Sequence, residues 1–242
     1  MNKPTLYVFL ISHYCEKARW ALDYCGIEYH LKTLIPATHT VTTKKIGAKR
    51  SSLPILQTAN GVIEGSADII AWANQNGSKS ILINDASNAL EKQADDVLGV
   101  HIRRWFYSEA LLDCPEIVKP VFAKGASFKD KCILQFAWPK VVSVMIKRMD
   151  LGVQQEQDSK AIVLTELNKL DSLISDESVF LIDDQFSNAD IAIASLIAPL
   201  YRPQKHPASS VFSLPPRIEQ LMPELKVQPS GQWLAKLYQN KR

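Results

Sequence analysis

No stretch of the 242 residues approaches the ~20 consecutive apolar residues that a membrane-spanning helix needs. The first apolar run, residues 6–11, is shorter than a signal-peptide core, and no small-residue cleavage site follows it. Glycine is scarce, nine in all, and no glycine-rich phosphate loop occurs. The four cysteines, Cys15, Cys25, Cys114 and Cys132, form neither a close CxxC pair nor a disulfide scaffold. They read as reduced thiols and so point to the cytoplasm. Five dispersed histidines with no ligand-spaced partner argue against a metal centre. A formal charge of +3 is too small to call for nucleic acid or a membrane surface. The densest basic group, Lys44, Lys45, Lys49 and Arg50, reads as a solvated loop. Once those classes are set aside, an ordinary globular chain remains, 46% hydrophobic and 22% charged. Its length suits one large domain or two small ones, at roughly 100–200 residues each.

Periodicity divides the chain. Residues 5–11, "TLYVFLI", predict a short buried strand. Helical spacing then begins near Cys15 and puts Ala18, Ala21, Leu22 and Cys25 on one face, and Gly26 ends the helix. "IEYHLKTLI" alternates as a second strand, so strand, helix and strand form a βαβ unit with a parallel pair. Residues 36–52 are polar and irregular, with room for one helical turn. "LPILQT" and "NGVIEG" predict a hairpin turning at Asn60-Gly61. Ser66 stands as N-cap of the helix "ADIIAWANQ". The expected organisation is a βαβ-ββα domain over residues 1–77, a linker over 78–88 and an all-helical domain over 89–242. In that second part residues 89–112, 128–149 and 159–175 carry helical periodicity. "ADIAIASLIAPL" is apolar on nearly every side, as a core helix is, and Ser187 with Asp190 forms a capping box at its start. The proline-rich residues 201–230 predict a loop with short turns, and the chain closes on a last helix.

Four stretches in order resemble the cytosolic glutathione transferases, over the whole chain. "SHYCEKARWAL" resembles the active-site corner and first helix. "SLPIL" resembles the cis-proline turn before the third strand. "IEGSADIIAWA" is similar to the motif that binds glutathione at the third helix, and "SNADIAIASL" to the capped core helix. The resemblance implies a thioredoxin-like domain followed by a helical bundle, a homodimer, glutathione as co-substrate, no metal and a small electrophile as second substrate.

The corner contains two candidates. Ser12 sits where a strand ends and a helix begins, and unpaired N–H groups and the helix dipole favour a thiolate there. A hydroxyl donating to sulfur lowers a thiol's pKa by stabilising the charged form. The resemblance aligns Ser12, seven residues before Arg19, with the family's serine or cysteine and makes it the catalytic residue. Cys15 is the rival. It would lie in the first turn of the helix, yet "SHYC" resembles a glutaredoxin corner whose attacking cysteine is replaced by serine. Tyr7 lies within the buried strand, at an offset from Arg19 that does not match the family.

By the same resemblance, Leu53 and Pro54 would present backbone to the cysteinyl part of glutathione across a cis bond. Ser66, at a helix N-terminus, would take the γ-glutamyl carboxylate. The family usually places an acid before that serine, where this chain has Gly65. Glu64 stands one position early and Asp68 is a second acid nearby. His39, Lys44, Lys45, Lys49 and Arg50 are the cations available to the glycyl carboxylate. Arg104, Trp105 and Tyr107 in "HIRRWFY" are candidates for a second-substrate pocket. Two other functions stay open, a thiol-disulfide reductase using Cys15 and a non-catalytic glutathione-binding or scaffold protein.

Overall fold

The protein's structure, a computed structural model, describes residues 3–124, 126–174, 179–209 and 213–242. The chain divides into two compact units. The first is Met1–Ser80 with Lys119–Val144, and the second is Ile81–Val118 with Met145–Arg242. Along the chain the first changeover between the units is at 80/81. Nothing in the sequence pattern marks residues 119–144 as part of the first unit.

The first unit is built on β1 (Thr5–Val8), α1 (His13–Tyr24), β2 (His30–Thr33), α2 (His39–Lys45), β3 (Ile55–Thr58), β4 (Gly61–Glu64) and α3 (Ser66–Asn76). The sheet order is β2-β1-β3-β4. β1 and β2 run parallel, with Leu6 opposite Leu31. β3 runs antiparallel to β1 and to β4. This is the expected βαβ-ββα arrangement. β1 stops at Val8, earlier than the apolar run suggests, because the Ser12 N–H turns back to the Phe9 carbonyl at 3.2 Å.

The turn between β3 and β4 is Ala59-Asn60, one residue earlier than expected. Gly61 already pairs with Thr58. Gly26 ends α1 as the sequence predicts. It has φ +74°, and the Ile27 N–H reaches back to the Leu22 carbonyl at 2.9 Å, which satisfies one of the helix's orphan acceptors. α1 and α3 pack on each other; Cys15, Ala18, Trp20, Ala21 and Leu22 are buried in the first, and Ile69, Ile70 and Ala73 in the second. To this unit belong α6 (Lys119–Ala123) and most of α7 (Phe128–Met149).

The second unit holds α4 (Asp85–Gln93), a π-helical turn (Ala94–Gly99), α5 (Val100–Leu112), α8 (Val153–Leu173), α9 (Asn188–Tyr201), α10 (Pro216–Val227) and α11 (Pro229–Lys241). Every residue of α9 is buried. Its capping box forms as read from the sequence, with Ser187 Oγ accepting the Asp190 N–H and Asp190 accepting the Ser187 N–H. α8 begins six residues earlier than its apolar pattern, and Ser175 at the end of that pattern lies outside the described residues. The loop expected over 201–230 is shorter than the proline content implies. Residues 210–212 lie outside the described residues, and from Pro216 the chain is helical. Proline at the first helical position forfeits only an N–H that would be unpaired anyway, so "PP" here starts a helix. Arg217, next in line, donates its backbone N–H to Glu109 at 2.6 Å and its guanidinium to Glu156 and Asp113 at 2.8 and 2.7 Å, tying α10 to α5 and α8.

Candidate functional site

The end of β1, the start of β3 and the end of β4 meet at one edge of the sheet, since Tyr7 and Glu64 both stand opposite Ile55. Four of the sequence-derived site residues lie in the turns beyond that edge.

Ser12 is the N-cap of α1. Its backbone is extended (φ −78°, ψ 120°), its Oγ accepts the Cys15 N–H at 3.3 Å, and its carbonyl accepts the Glu16 N–H at 3.0 Å. The capping role and the proposed thiolate role are compatible. The oxygen serves the helix as acceptor, a bond that does not use the hydroxyl proton, and the hydroxyl also bonds the Cys15 sulfur. Ser12 is half-buried and Cys15 is fully buried. Desolvation pushes the Cys15 thiol up to about 11, against the lowering effects of the Ser12 hydroxyl, the Phe9 backbone and the Arg19 charge. The corner therefore presents a hydroxyl and a helix N-terminus, and keeps its own sulfur inside and protonated. Tyr7 is buried too, and its hydroxyl donates to Gln57 at 2.9 Å.

The Leu53–Pro54 bond is cis, as the resemblance implies. The Pro54 carbonyl accepts the Gly65 N–H at 3.1 Å, which brings the Leu53-Pro54 turn against the start of α3. There the sequence reading is off by one. Gly65 is the N-cap and Ser66 is the first helical residue, buried. The Ile69 N–H makes the first helical bond, to the Gly65 carbonyl at 3.2 Å, and the cap has no side-chain hydrogen bond. Residue preference favours serine as a cap, but here the backbone geometry decides. Gly65 has φ 101° and ψ 152°, a region almost closed to other residues. That conformation is the physical reason for a glycine where an acid was expected.

Glu64 is bonded to backbone amides of the loop before β3. Its Oε1 accepts the Lys49 N–H and its Oε2 the Arg50 N–H, both at 2.8 Å. These amides, Lys49 first, hold its carboxyl below the usual carboxylate range. Asp68 is exposed in the first turn of α3. Lys44 and Lys45 end α2, and with Lys49 and Arg50 they are exposed, while His39 is half-buried at the start of that helix.

Of the three α5 residues, two are engaged elsewhere in the second unit. Trp105 is 1% exposed, part of that unit's core, with Lys160 Nζ 6.0 Å from its ring centre. Arg104 donates to the Met149 carbonyl at 3.1 Å and pairs with Asp150 at 3.5 Å. Tyr107 is half-buried, edge-on to Phe106.

A feature the sequence reading missed lies in the first unit. Phe9, whose carbonyl holds the Ser12 amide, stands edge-on to His39 at 5.0 Å and to Phe122 at 6.4 Å, and Phe122 in turn meets Trp138 at 6.2 Å. These rings come from β1's end, α2, α6 and α7. No local spacing rule joins them. Among the described residues, no group of three or more His, Cys, Asp and Glu side chains is placed to hold a metal ion, and no helix is long and apolar enough to cross a membrane.

Residues 6–80 match the family model described as glutathione S-transferase, N-terminal domain. No curated protein matches the chain in sequence. Among solved structures, it is similar to glutathione transferase GSTFuA2 from Phanerochaete chrysosporium (15% identity, TM-score 0.67, covering 100% of this chain and 98% of that one). It is also similar to the beta-etherase LigF from Sphingobium sp. strain SYK-6 (17% identity, TM-score 0.61, 96% and 98% covered). A third is glutaredoxin 2 from Salmonella typhimurium, solved with glutathione (18% identity, TM-score 0.51, 98% and 100% covered). At these identities the likeness is one of fold, a thioredoxin-like part followed by a helical bundle.

Proposed function

We propose that this chain, which has the glutathione transferase fold, binds glutathione at the sheet edge of its first unit and holds the sulfur as a thiolate at Ser12. The thiolate would attack an electrophilic small molecule. One observation carries the reading. The strand-to-helix corner offers a hydroxyl at a helix N-terminus, while the only thiol of that corner, Cys15, is buried and protonated. A site so made has no attacking sulfur of its own and is suited to stabilise one that a ligand brings. Glutaredoxin 2 and the transferase CsGST63524 of Ceriporiopsis subvermispora, both similar in fold, have been solved with glutathione, which supports that choice of thiol.

The remaining assignments follow from this one. The Leu53 backbone would pair with the cysteinyl part, and the N-terminus of α3 with Ser66 would take the γ-glutamyl carboxylate. The exposed cations of residues 44–50 would meet the glycyl end. Binding both reactants on one protein lowers the entropic cost of their encounter. A cytoplasmic homodimer is the expected form. The Cys15 reductase is disfavoured by burial. The scaffold alternative loses part of its support because Gly65 is explained by backbone conformation.

The test is a titration of wild type and Ser12→Ala with glutathione, read by thiolate ultraviolet absorbance across pH. Wild type is expected to hold bound glutathione with a thiol pKa below that of free glutathione, and Ser12→Ala to raise it by about one to two units. Cys15→Ala should keep conjugating activity. A bound thiol with an unshifted pKa in wild type refutes the proposal, as does activity that survives Ser12→Ala and disappears in Cys15→Ala.

A further inference from the structure

The last residue of β4 and the residue after it grip one loop at both ends. Glu64 accepts the backbone N–H groups of Lys49 and Arg50, one on each carboxylate oxygen, both at 2.8 Å. Gly65 donates its own N–H to the Pro54 carbonyl at 3.1 Å. The segment between, residues 49–54, has no strand or helix of its own. It carries two of the candidate cations and the Leu53 backbone. A loop pinned fourteen residues away in sequence at one end and eleven at the other loses most of its freedom before any ligand arrives.

We propose that Glu64 is a positioning residue that sets the Lys49–Pro54 backbone for ligand binding, and that it does not itself contact the γ-glutamyl amine. This rests on the glutathione-binding reading above. The chemistry favours this division of labour. Two adjacent backbone amides converging on one carboxylate make charge-assisted bonds, about twice as strong as neutral ones. Each oxygen already accepts one backbone N–H from the loop. Glutamine could replace only one of the two bonds, since its amide nitrogen would oppose the other N–H, donor against donor.

The amine's role can be separated from the loop's by removing the amine from the ligand. Wild type and Glu64→Gln are titrated by calorimetry with glutathione and with glutaryl-cysteinyl-glycine, which carries hydrogen in place of the γ-glutamyl amine. The expected result is that Glu64→Gln weakens both ligands by the same factor, about tenfold, the size of one lost charge-assisted bond. Hydrogen exchange at the Lys49 and Arg50 amides should also speed up in the unliganded variant, with the midpoint of unfolding unchanged. Weakening confined to glutathione and absent with the analogue would overturn the proposal and assign Glu64 to the amine. Equal exchange at residues 49 and 50 in both proteins would overturn it as well. If wild type binds neither ligand, the glutathione reading fails, and exchange at those two amides still decides whether Glu64 holds the loop.

Discussion

Removing the Asp190 carboxylate should cost more than any other single truncation of a polar side chain in α9. Oδ1 accepts the Leu181 N–H at 2.9 Å, and Oδ2 accepts the Ser187 N–H at 2.8 Å and the Ser187 hydroxyl at 2.6 Å. Asp190→Ala leaves two backbone amides and a hydroxyl without that acceptor. The Ser187 amide is buried, and its loss is about 1–3 kcal/mol by itself. The Leu181 amide is part-buried and can recruit water, so it adds about 1 kcal/mol. Relief of the carboxylate's own desolvation, which holds its pKa above 3.8, offsets part of the loss. The net expectation is about 1–3 kcal/mol, against a typical total of about 5–15. Since every residue of α9 is buried, the loss cannot be absorbed as local fraying and should appear in global unfolding.

The assay for Asp190→Ala is urea denaturation at pH 7 followed by far-UV circular dichroism, with the slope unchanged and the midpoint lowered. Ser187→Ala, which removes the cap and one carboxylate contact but orphans no amide at residues 181 or 187, should lose only about 1 kcal/mol. A loss below about 1 kcal/mol for Asp190→Ala, or a larger loss for Ser187→Ala, would refute the reasoning. pH adds a second check. The folded carboxyl holds its proton more tightly than the unfolded one. Its contribution is therefore fully present below 3.8 and declines as pH rises through the higher folded value. The stability difference between wild type and Asp190→Ala should follow that slope.

Ser12 serves the helix and, on the proposed reading, the ligand, and two substitutions separate these roles. Ser12→Ala should lose about 1 kcal/mol of stability and Ser12→Gly only a few tenths, while both lose the same thiolate stabilisation in the absorbance titration. Gly65→Ala meets no atom within 4 Å of the added Cβ, so its cost is backbone strain alone, about 1–3 kcal/mol in urea denaturation. A loss under about 0.5 kcal/mol would show that the positive φ is not required. Phe9, next to the Ser12 corner, and Trp138 are half-buried rings joined through the buried Phe122. S-benzylglutathione should therefore bind about tenfold more tightly than S-methylglutathione by calorimetry, and Phe122→Ala should abolish the difference.

Features set by neighbours in sequence were legible. The Ser187–Asp190 box, the Gly26 stop, the βαβ pattern and the hairpin all depend on spacings of a few residues; the box, the stop and the hairpin turn formed at or within one residue of their expected places, and the βαβ unit formed with strands shorter than their apolar runs. Where two local rules competed, preference alone chose wrongly. Serine outranks glycine as a cap, but the positive φ at position 65 excludes serine and moves the cap back by one. Proline reads as a breaker, but at the start of α10 it is the residue best suited to begin a helix. Features made by distant segments left no local trace. Glu64 read as an acid one position out of place because its partners, the amides of residues 49 and 50, are backbone groups that any sequence carries. "HIRRWFY" fits several helix faces equally, and only packing against α8 turns Trp105 inward. The grouping of residues 119–144 with the first unit, and with it the ring series through Phe122 and Trp138, is likewise tertiary.

The choice between Ser12 and Cys15 comes down to how much thiolate each arrangement can supply. A thiol at about 11 is ionised in roughly one molecule in ten thousand at pH 7. Cys15 would also have to leave a fully buried position to reach a disulfide, so both factors slow thiol exchange there. A glutathione thiol at the same corner starts near 8.5, as a free cysteine does, and gains from the helix dipole and a donated hydroxyl while staying nearer to solvent. Each unit of lowering raises the thiolate population almost tenfold until the pKa passes below ambient pH. The environment that disables the protein's own sulfur is burial, and a ligand at the half-buried Ser12 avoids it. On the proposed reading, that asymmetry of three residues along one helix turn would give Ser12 to the ligand, while Cys15 lies in the core.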